Sequence, residues 1–435
     1  MNIHNIKYTI CALAMLLGAS ACRDNNTLVF DPEDKSYVAS MGKSLEGQFH
    51  YLWNGINNSY VFWEYDPLDW DCVYSTFAPR FRELDEQAIH GKAVTNEDVR
   101  KLMEESFGKL LDRHMVVGMI NVHNPEKDRQ NVSVNISDLD IKSRPDYHPS
   151  TEVDSSYMPT SKIYHLLNYR QGTRYDVSNL VAASEFAEIS TWFAFSCVLN
   201  GDIPYLHMSQ FLFSGITHTA EMASVFQNFF NNVKRLKALG MLKGVVLDYR
   251  GNGGGFAIDL DIFPGMFIDE PELICRFKTK TGLGRYDYGT WIYRYMQPAR
   301  ESIRIKNFNA PLVVLQDMFT GSMGEISAYA VSRLPFGHTI GESTAGGLGT
   351  LFDDGFDIYH TGGFNVNNRW NQPFVYCATY CSNYQNEKTG EWECREGKGG
   401  FAPDEYVPLD TIAFNSYDHD NQLDAALDYI KGQSK

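Results

Sequence analysis

The chain has 435 residues, 43% of them hydrophobic and 21% charged. That is ordinary globular composition, and it excludes the collagenous and intrinsically disordered classes. Acidic residues outnumber basic ones by 54 to 38 with no basic run, which argues against a nucleic-acid partner.

At roughly 150 residues per domain the length predicts two or three domains. Residues 1–21 read as a secretory signal: Lys7 supplies a positive start, and Tyr8 to Ala21 is apolar and ends in small residues. The stretch is shorter than the ~20 apolar residues a bilayer-spanning helix needs. Ala19-Ser20-Ala21-Cys22 resembles the lipobox of bacterial lipoproteins. That resemblance implies a lipid on Cys22, a polar tether over 22–43, and attachment at the bacterial cell envelope, in the periplasm or at the cell surface. The lipid would be the protein's contact with the membrane.

Residues 44–122 predict a helical N-terminal region. Phe49, Trp53, Ile56 and Tyr60 recur at three- and four-residue steps. Thr95-Asn96-Glu97-Asp98 resembles a capping box, with Val99, Leu102, Met103 and Leu110 following on one face. Met115 to Val122 predicts a short strand. Residues 123–189 are rich in Asn, Asp, Ser and Tyr with weak periodicity, and predict an irregular insert or small subdomain.

From 190 to 435 the pattern is alternating α and β. Trp192–Val198, Ile203–Met208, Gly244–Tyr249, Pro311–Leu315 and His338–Glu342 predict strands. Met222, Val225, Phe226, Phe229, Val233 and Leu236 form a helical stripe, Ser322–Leu334 predicts a second helix, and Leu423, Leu427 and Ile430 mark a closing one. Buried apolar strands separated by helices define an α/β core.

Eight cysteines occur. Cys11 lies in the signal, and Cys72, Cys197 and Cys275 read as buried thiols. No CxxC or HxxxH pair accompanies Cys377, Cys381 and Cys394, so the sequence implies no metal. In an exported protein a disulfide is the expected use, with Cys381 and Cys394 flanking a turn at Asn386–Gly390.

Three Gly-rich segments follow strands. Arg250-Gly251-Asn252-Gly253-Gly254-Gly255 fits neither a dinucleotide fingerprint nor a phosphate loop, but consecutive glycines leave backbone N–H groups open to an oxyanion. In Thr320-Gly321-Ser322-Met323-Gly324-Glu325 a serine opens a helix. It reads either as an N-cap in a Ser-x-x-Glu box or as a nucleophile. Gly341-Glu342-Ser343-Thr344-Ala345-Gly346-Gly347-Leu348-Gly349 is the third.

In this order, Asp248-Tyr249-Arg250-Gly251-Asn252-Gly253-Gly254-Gly255, Gly321-Ser322-Met323-Gly324-Glu325 and Gly341–Gly347 resemble the tail-specific (carboxyl-terminal processing) serine peptidase family. That family includes the tricorn protease core and the retinoid-binding-protein modules. The resemblance covers about 200–412. It extends to Asp69-Trp70-Asp71 and to Leu110-Leu111-Asp112-Arg113-His114, which is similar to the family's Leu-x-Asp-Gly-His. It implies a crotonase/ClpP-like core of β-β-α units and Ser322 as nucleophile. The lysine that processing members use as base is replaced by Gly347. The tricorn-like branch instead implies His114 as base and Glu396, ahead of Gly399-Gly400-Phe401-Ala402-Pro403-Asp404, as its acid. Asp112 is a second candidate acid, and Glu325 reads as a cap or helper. Met323, Gly253 and Gly254 are the expected oxyanion donors.

The implied activity is hydrolysis of a peptide or protein substrate by acyl transfer, with no cofactor or metal. Two other classes share the sequence features: an inactive binding lipoprotein on the same fold, and a surface glycan-binding or interaction protein. His207 and His218 read as packing or surface residues.

Replacing Cys22 by serine is expected to release the protein from membranes. Intact-mass analysis of the native protein, showing Cys22 with or without a lipid, checks it.

Overall fold

The computed structural model describes residues 43–126, 130–145, 147, 160–169, 175–187, 190–214, 219–282, 284–351, 373–386 and 389–433. The signal, nearly all of the tether, Cys22 and His218 lie outside these residues. No helix among the described residues is long and apolar enough to cross a membrane.

Three helices open the described chain: α1 (Leu45–Ser59), α2 (Trp70–Ile89) and α3 (Asn96–Phe107). Each starts where a side chain satisfies an otherwise orphaned amide. Ser44 accepts from Gly47 N–H, Asp69 from Cys72 N–H, and Thr95 with Asp98 closes the expected capping box. The apolar faces of the three helices meet in an aromatic core. Trp53 and Trp70 stack at 6.2 Å, and each indole N–H donates to the other's backbone carbonyl. Phe49, Phe81, Phe107 and Trp63 complete the cluster. Cys72, expected to be buried, is exposed instead, because it sits in the first turn of α2 beside Asp71 on the solvent face.

The chain continues through β1 (Val116–Ile120), β2 (Asn131–Asn135), α4 (Ile136–Ser143) and α5 (Thr160–Tyr169). Strand β1 is the one expected over Met115–Val122, while β2, α4, α5 and β3 (Val177–Ala187) fall in the stretch 123–189, expected to be an irregular insert or small subdomain. Strand β3 pairs antiparallel with β4 (Ser190–Leu199), so the main sheet begins ahead of residue 190. Its Asn and Ser content hid it, because a strand at the sheet edge needs little apolar alternation.

The remaining elements are β5 (Ile203–Met208), α6 (Ala220–Ala238), β6 (Val245–Asp248), the short α7 (Asp259–Ile262), β7 (Glu272–Thr279), β8 (Ile292–Met296), β9 (Leu312–Gln316), α8 (Met323–Ser332), β10 (Gly337–Gly341), β11 (Phe374–Tyr376), β12 (Tyr380–Gln385), β13 (Trp392–Cys394), β14 (Glu405–Tyr406), α9 (Thr411–Asn415) and α10 (Asn421–Gln433). The seven-stranded sheet runs β14-β10-β9-β6-β5-β4-β3. From β5 to β14 its strands are parallel, and both faces are covered, as parallel sheets require. Helix α6 packs Met222, Phe226 and Phe229 on one face. Helices α5 and α10 pack Leu166, Leu423 and Ile430 on the other.

A four-stranded sheet, β13-β12-β7-β8, lies beside this core. Strand β11 returns to pair with β1 in a three-stranded sheet with β2, so the C-terminal part of the chain is laced into the N-terminal region.

Arg250, directly after β6, is fully buried. Its guanidinium donates to Asp248 at 2.9 and 2.5 Å, to Asp420 at 2.9 and 2.7 Å, and to Gln422 at 3.1 Å. Burial pushes the Asp248 carboxyl up, but the Arg250 charge overrides it and holds the group well below the usual carboxylate range. The network ties the start of α10 to the root of the Gly-rich loop. Arg250→Ala is expected to lower stability by about 3–5 kcal/mol, because it leaves buried carboxylates unpaired. Urea unfolding of the variant against wild type measures it.

Candidate active site

Ser322 caps α8 with φ 50° and ψ −125°. A positive φ is strained for a residue with a Cβ, at a cost on the order of 1–3 kcal/mol, and persists only where surroundings enforce it. Here the Ser322 N–H donates to Glu325 Oε1 at 3.0 Å, and the preceding Gly321 N–H donates to the Asn252 carbonyl at 2.9 Å. Ser322 and Glu325 are set as the Ser-x-x-Glu capping box at the start of α8.

The turn presses Ser322 against the first Gly-rich loop. A Cβ built on Gly254 would stand 2.6 Å from Ser322 Cβ and 2.8 Å from Met323 N. Only glycine fits there, and its φ of +99° suits glycine as well. The Met323 N–H is a first-turn helix amide, and among the described residues it has no hydrogen-bond partner. The Gly253 N–H has none either, and Gly253 is exposed. The Gly254 N–H donates to Asn252 Oδ1 at 2.8 Å. Of the three residues expected to supply oxyanion donors, two keep an open amide and the third has its amide engaged.

His114 lies in the loop between α3 and β1. Its N–H donates to Asp112 Oδ1 at 2.8 Å, while its ring Nδ1 is buried without a hydrogen-bond partner among the described residues. A Cβ on Gly347 would stand 3.5 Å from His114 Cε1 and 3.8 Å from Nδ1. The imidazole thus lies within van der Waals contact of a Cβ at 347, beside Arg113 Cβ at 3.3 Å. Burial lowers the His114 pKa to about 4, so the ring is neutral at pH 7.

One donor atom each from Asp112, His114 and Glu396 lie within 4.8 Å of one another. The carboxylates are already committed to backbone amides. Asp112 accepts from His114 and, at 2.7 Å, from Ala378. Glu396 accepts from Arg113 at 2.7 Å and from Leu348 and Gly349, both at 2.6 Å. Burial raises Asp112 to about 6. Burial first, and then the charge of Asp112, push Glu396 well above its ordinary value.

Ser322 and His114 flank one loop, Thr344–Gly349. Glu325 holds its near side: Oε2 accepts from Thr344 Oγ1 at 2.6 Å and from Gly346 N–H at 2.9 Å, while Oε1 takes the Ser322 amide. Glu396 holds its far side. Arg144, at the end of α4, donates to the carbonyls of Thr344 at 2.7 Å and Ser343 at 3.1 Å. Nothing local in the sequence marks Arg144, since its partners lie far along the chain. Asn252 was legible only as part of its motif.

Cys381 and Cys394 are free thiols in this structure, where the sequence pointed to a bridge. They are in hydrogen-bonding contact, because Cys394 pairs with Asn383, one strand repeat from Cys381. His207 is buried beside Asp248 and stacks on Phe195 at 5.3 Å.

Residues 202–361 match the model of Peptidase family S41. The match takes in Ser322 and the three Gly-rich segments. No curated protein matches the chain. Among solved structures, the chain is similar to a putative peptidase from Parabacteroides merdae ATCC 43184. The TM-score is 0.55 at 18% identity, over 89% of this chain and 96% of that one. It is also similar to mature CPAF complexed with lactacystin, with a TM-score of 0.51 at 10% identity, over 91% of this chain and 98% of that one. At these identities the likeness is one of fold, a mixed α/β core with a helical N-terminal region.

The buried acids set a pH dependence. Unfolded, Asp112 and Glu325 would ionise near ordinary values of roughly 4. Folded, burial holds their protons up to about 6 and about 7. The native state therefore binds more protons in that window, and its stability declines as pH rises through it. The melting temperature is expected to be higher at about pH 5 than at about pH 8, with a shallower slope in Glu325→Gln; calorimetry across that range measures both.

Proposed function

We propose that the protein is an exported, lipid-anchored serine peptidase that hydrolyses peptide bonds of peptide or protein substrates by acyl transfer through Ser322. The observation that carries this reading is the strained, positive-φ turn that packs Ser322 onto Gly254 and sets an open helix amide beside it. A residue that served only as a cap would have no need of a positive φ.

In this mechanism His114 removes the hydroxyl proton as Ser322 attacks the substrate carbonyl. The open amides of Met323 and Gly253 bind the developing oxyanion. Burial makes His114 a weak base. The Asp112–Glu396 pair beside it offsets that cost by stabilising the imidazolium formed in the transition state. His114 then returns the proton to the leaving amine, and water, activated the same way, releases the acyl group. In this reading the base comes not from a lysine at position 347 but from a histidine of the N-terminal region, whose ring lies next to Gly347.

Ser322→Ala is expected to abolish peptide hydrolysis by at least about 10³-fold with the fold retained, and to abolish labelling by a fluorophosphonate probe. Circular dichroism with a peptide-hydrolysis assay on wild type and variant checks both. Undiminished hydrolysis in the variant would refute the mechanism.

A further inference from the structure

Asp112, His114 and Glu396 bring one donor atom each within 4.8 Å of one another, although Glu396 comes from a distant part of the chain. Both carboxylates are fully buried, and neither makes an ion pair among the described residues. Arg113, whose charge acts on Asp112, directs its guanidinium at the carbonyls of Leu110 and Gly397, at 3.2 and 3.3 Å. What the carboxylates hold instead is backbone amides. Asp112 accepts from His114 and Ala378, and Glu396 from Arg113, Leu348 and Gly349. A carboxylate has about four acceptor positions, so both retain capacity for a further partner. The amides fix their orientation, as outer-shell groups do for metal ligands.

The imidazole completes the group. His114 Nδ1 is buried with no hydrogen-bond partner among the described residues. A buried polar atom left so is costly, and it points to a partner that these protein atoms do not supply. Two carboxylates and an imidazole gathered out of water also call for a positive charge. During turnover a proton on His114 would supply it only transiently.

The donor set selects among cations. Calcium and magnesium take six or more ligands, all of them oxygen. One imidazole nitrogen and two carboxylate oxygens suit zinc, with a fourth position for water. Zinc holds its donors about 2.0–2.2 Å away, hence about 3.3 Å from one another. Reaching that from 4.8 Å takes a closure of at most about 1.5 Å, and no hydrogen bond at Nδ1 opposes a turn of the His114 ring.

We propose that Asp112, His114 and Glu396 form a binding site for a zinc ion, and that zinc seated there switches Ser322 off by taking the imidazole lone pair that would accept its proton. The binding site stands on the gathered donors alone. The switch rests on the reading of Ser322 and His114 as nucleophile and base.

The test separates binding from chemistry. Full-length protein, stripped with EDTA and dialysed, is titrated with zinc chloride by isothermal calorimetry, with calcium chloride as the hard-cation control. Zinc is expected to bind at one site per chain, and calcium at none. His114→Ala and Asp112→Asn, checked for fold by circular dichroism, should each weaken zinc binding at least about 10-fold. Cobalt(II) in place of zinc reports the donors without any substitution. Visible d–d bands with no thiolate charge-transfer band are expected, whereas a thiolate band would put the ion on cysteines such as Cys381 and Cys394. No zinc binding, zinc binding unaltered in folded variants, calcium binding of equal strength, or a thiolate band in the cobalt form would each overturn the site. The second arm is the rate of fluorophosphonate labelling of wild type with and without saturating zinc. Labelling at least about 10-fold slower with zinc, restored by EDTA, supports the switch. Zinc bound at these residues with labelling unchanged overturns the switch and leaves the peptidase reading intact. No labelling of the metal-free wild type overturns the peptidase reading and the switch together, while calorimetry and the cobalt spectrum still decide the zinc site.

Discussion

Two buried glutamates hold the loop Thr344–Gly349 between Ser322 and His114, and the rest of the site is arranged around them. Glu325 accepts from Ser322, Thr344 and Gly346, while Glu396 accepts from Arg113, Leu348 and Gly349. A glycine-rich loop has little side-chain packing to fix its course, so its amides must be gathered by acceptors. Burying a carboxylate is unfavourable unless such donors surround it. That same burial raises both pKa values and makes the site sensitive to pH.

The arrangement also joins the two halves of the molecule. Glu396 reaches Arg113 in the N-terminal region, Asp112 reaches Ala378 in the C-terminal part, and β11 completes the sheet begun by β1. The helical region is therefore a structural wall of the site. Its aromatic core fixes the loop that carries His114: Tyr60 Oη accepts the Leu111 N–H at 2.8 Å and donates to Asp66 Oδ2 at 2.7 Å. The His114 loop is thus braced from both halves of the chain.

Glycine has separate duties within one motif. Gly254 allows the close approach of Ser322, Gly255 allows the close approach of Phe211, and Gly253 leaves an amide facing solvent. Arg250 and Asp248, earlier in the same motif, serve stability through a buried ion network that anchors the loop to α10. The chemistry of the loop and its anchorage are thus encoded side by side, with a rigid charged root and a small, open tip.

Local sequence determined what local physics decides. The apolar runs at 245–248 and 312–316 specify buried parallel strands, the stripe from Met222 to Leu236 specifies a helix, and Thr95 with Asp98 specifies its own cap. The order of the Gly-rich segments pointed to Ser322 only through its resemblance to a known peptidase family, because strand, glycine turn and helix start by themselves fit an N-cap as well. The tertiary structure alone decided the rest. It set His114 against Gly347, grouped Asp112 with Glu396, and brought Arg144 to the loop. It also paired β3 with β4 and built the β13-β12-β7-β8 sheet from strands whose aromatic and charged residues carry no clean alternation. These contacts join residues distant in the chain, whose positions depend on the packing of whole elements, and no spacing in a single sequence encodes that packing directly.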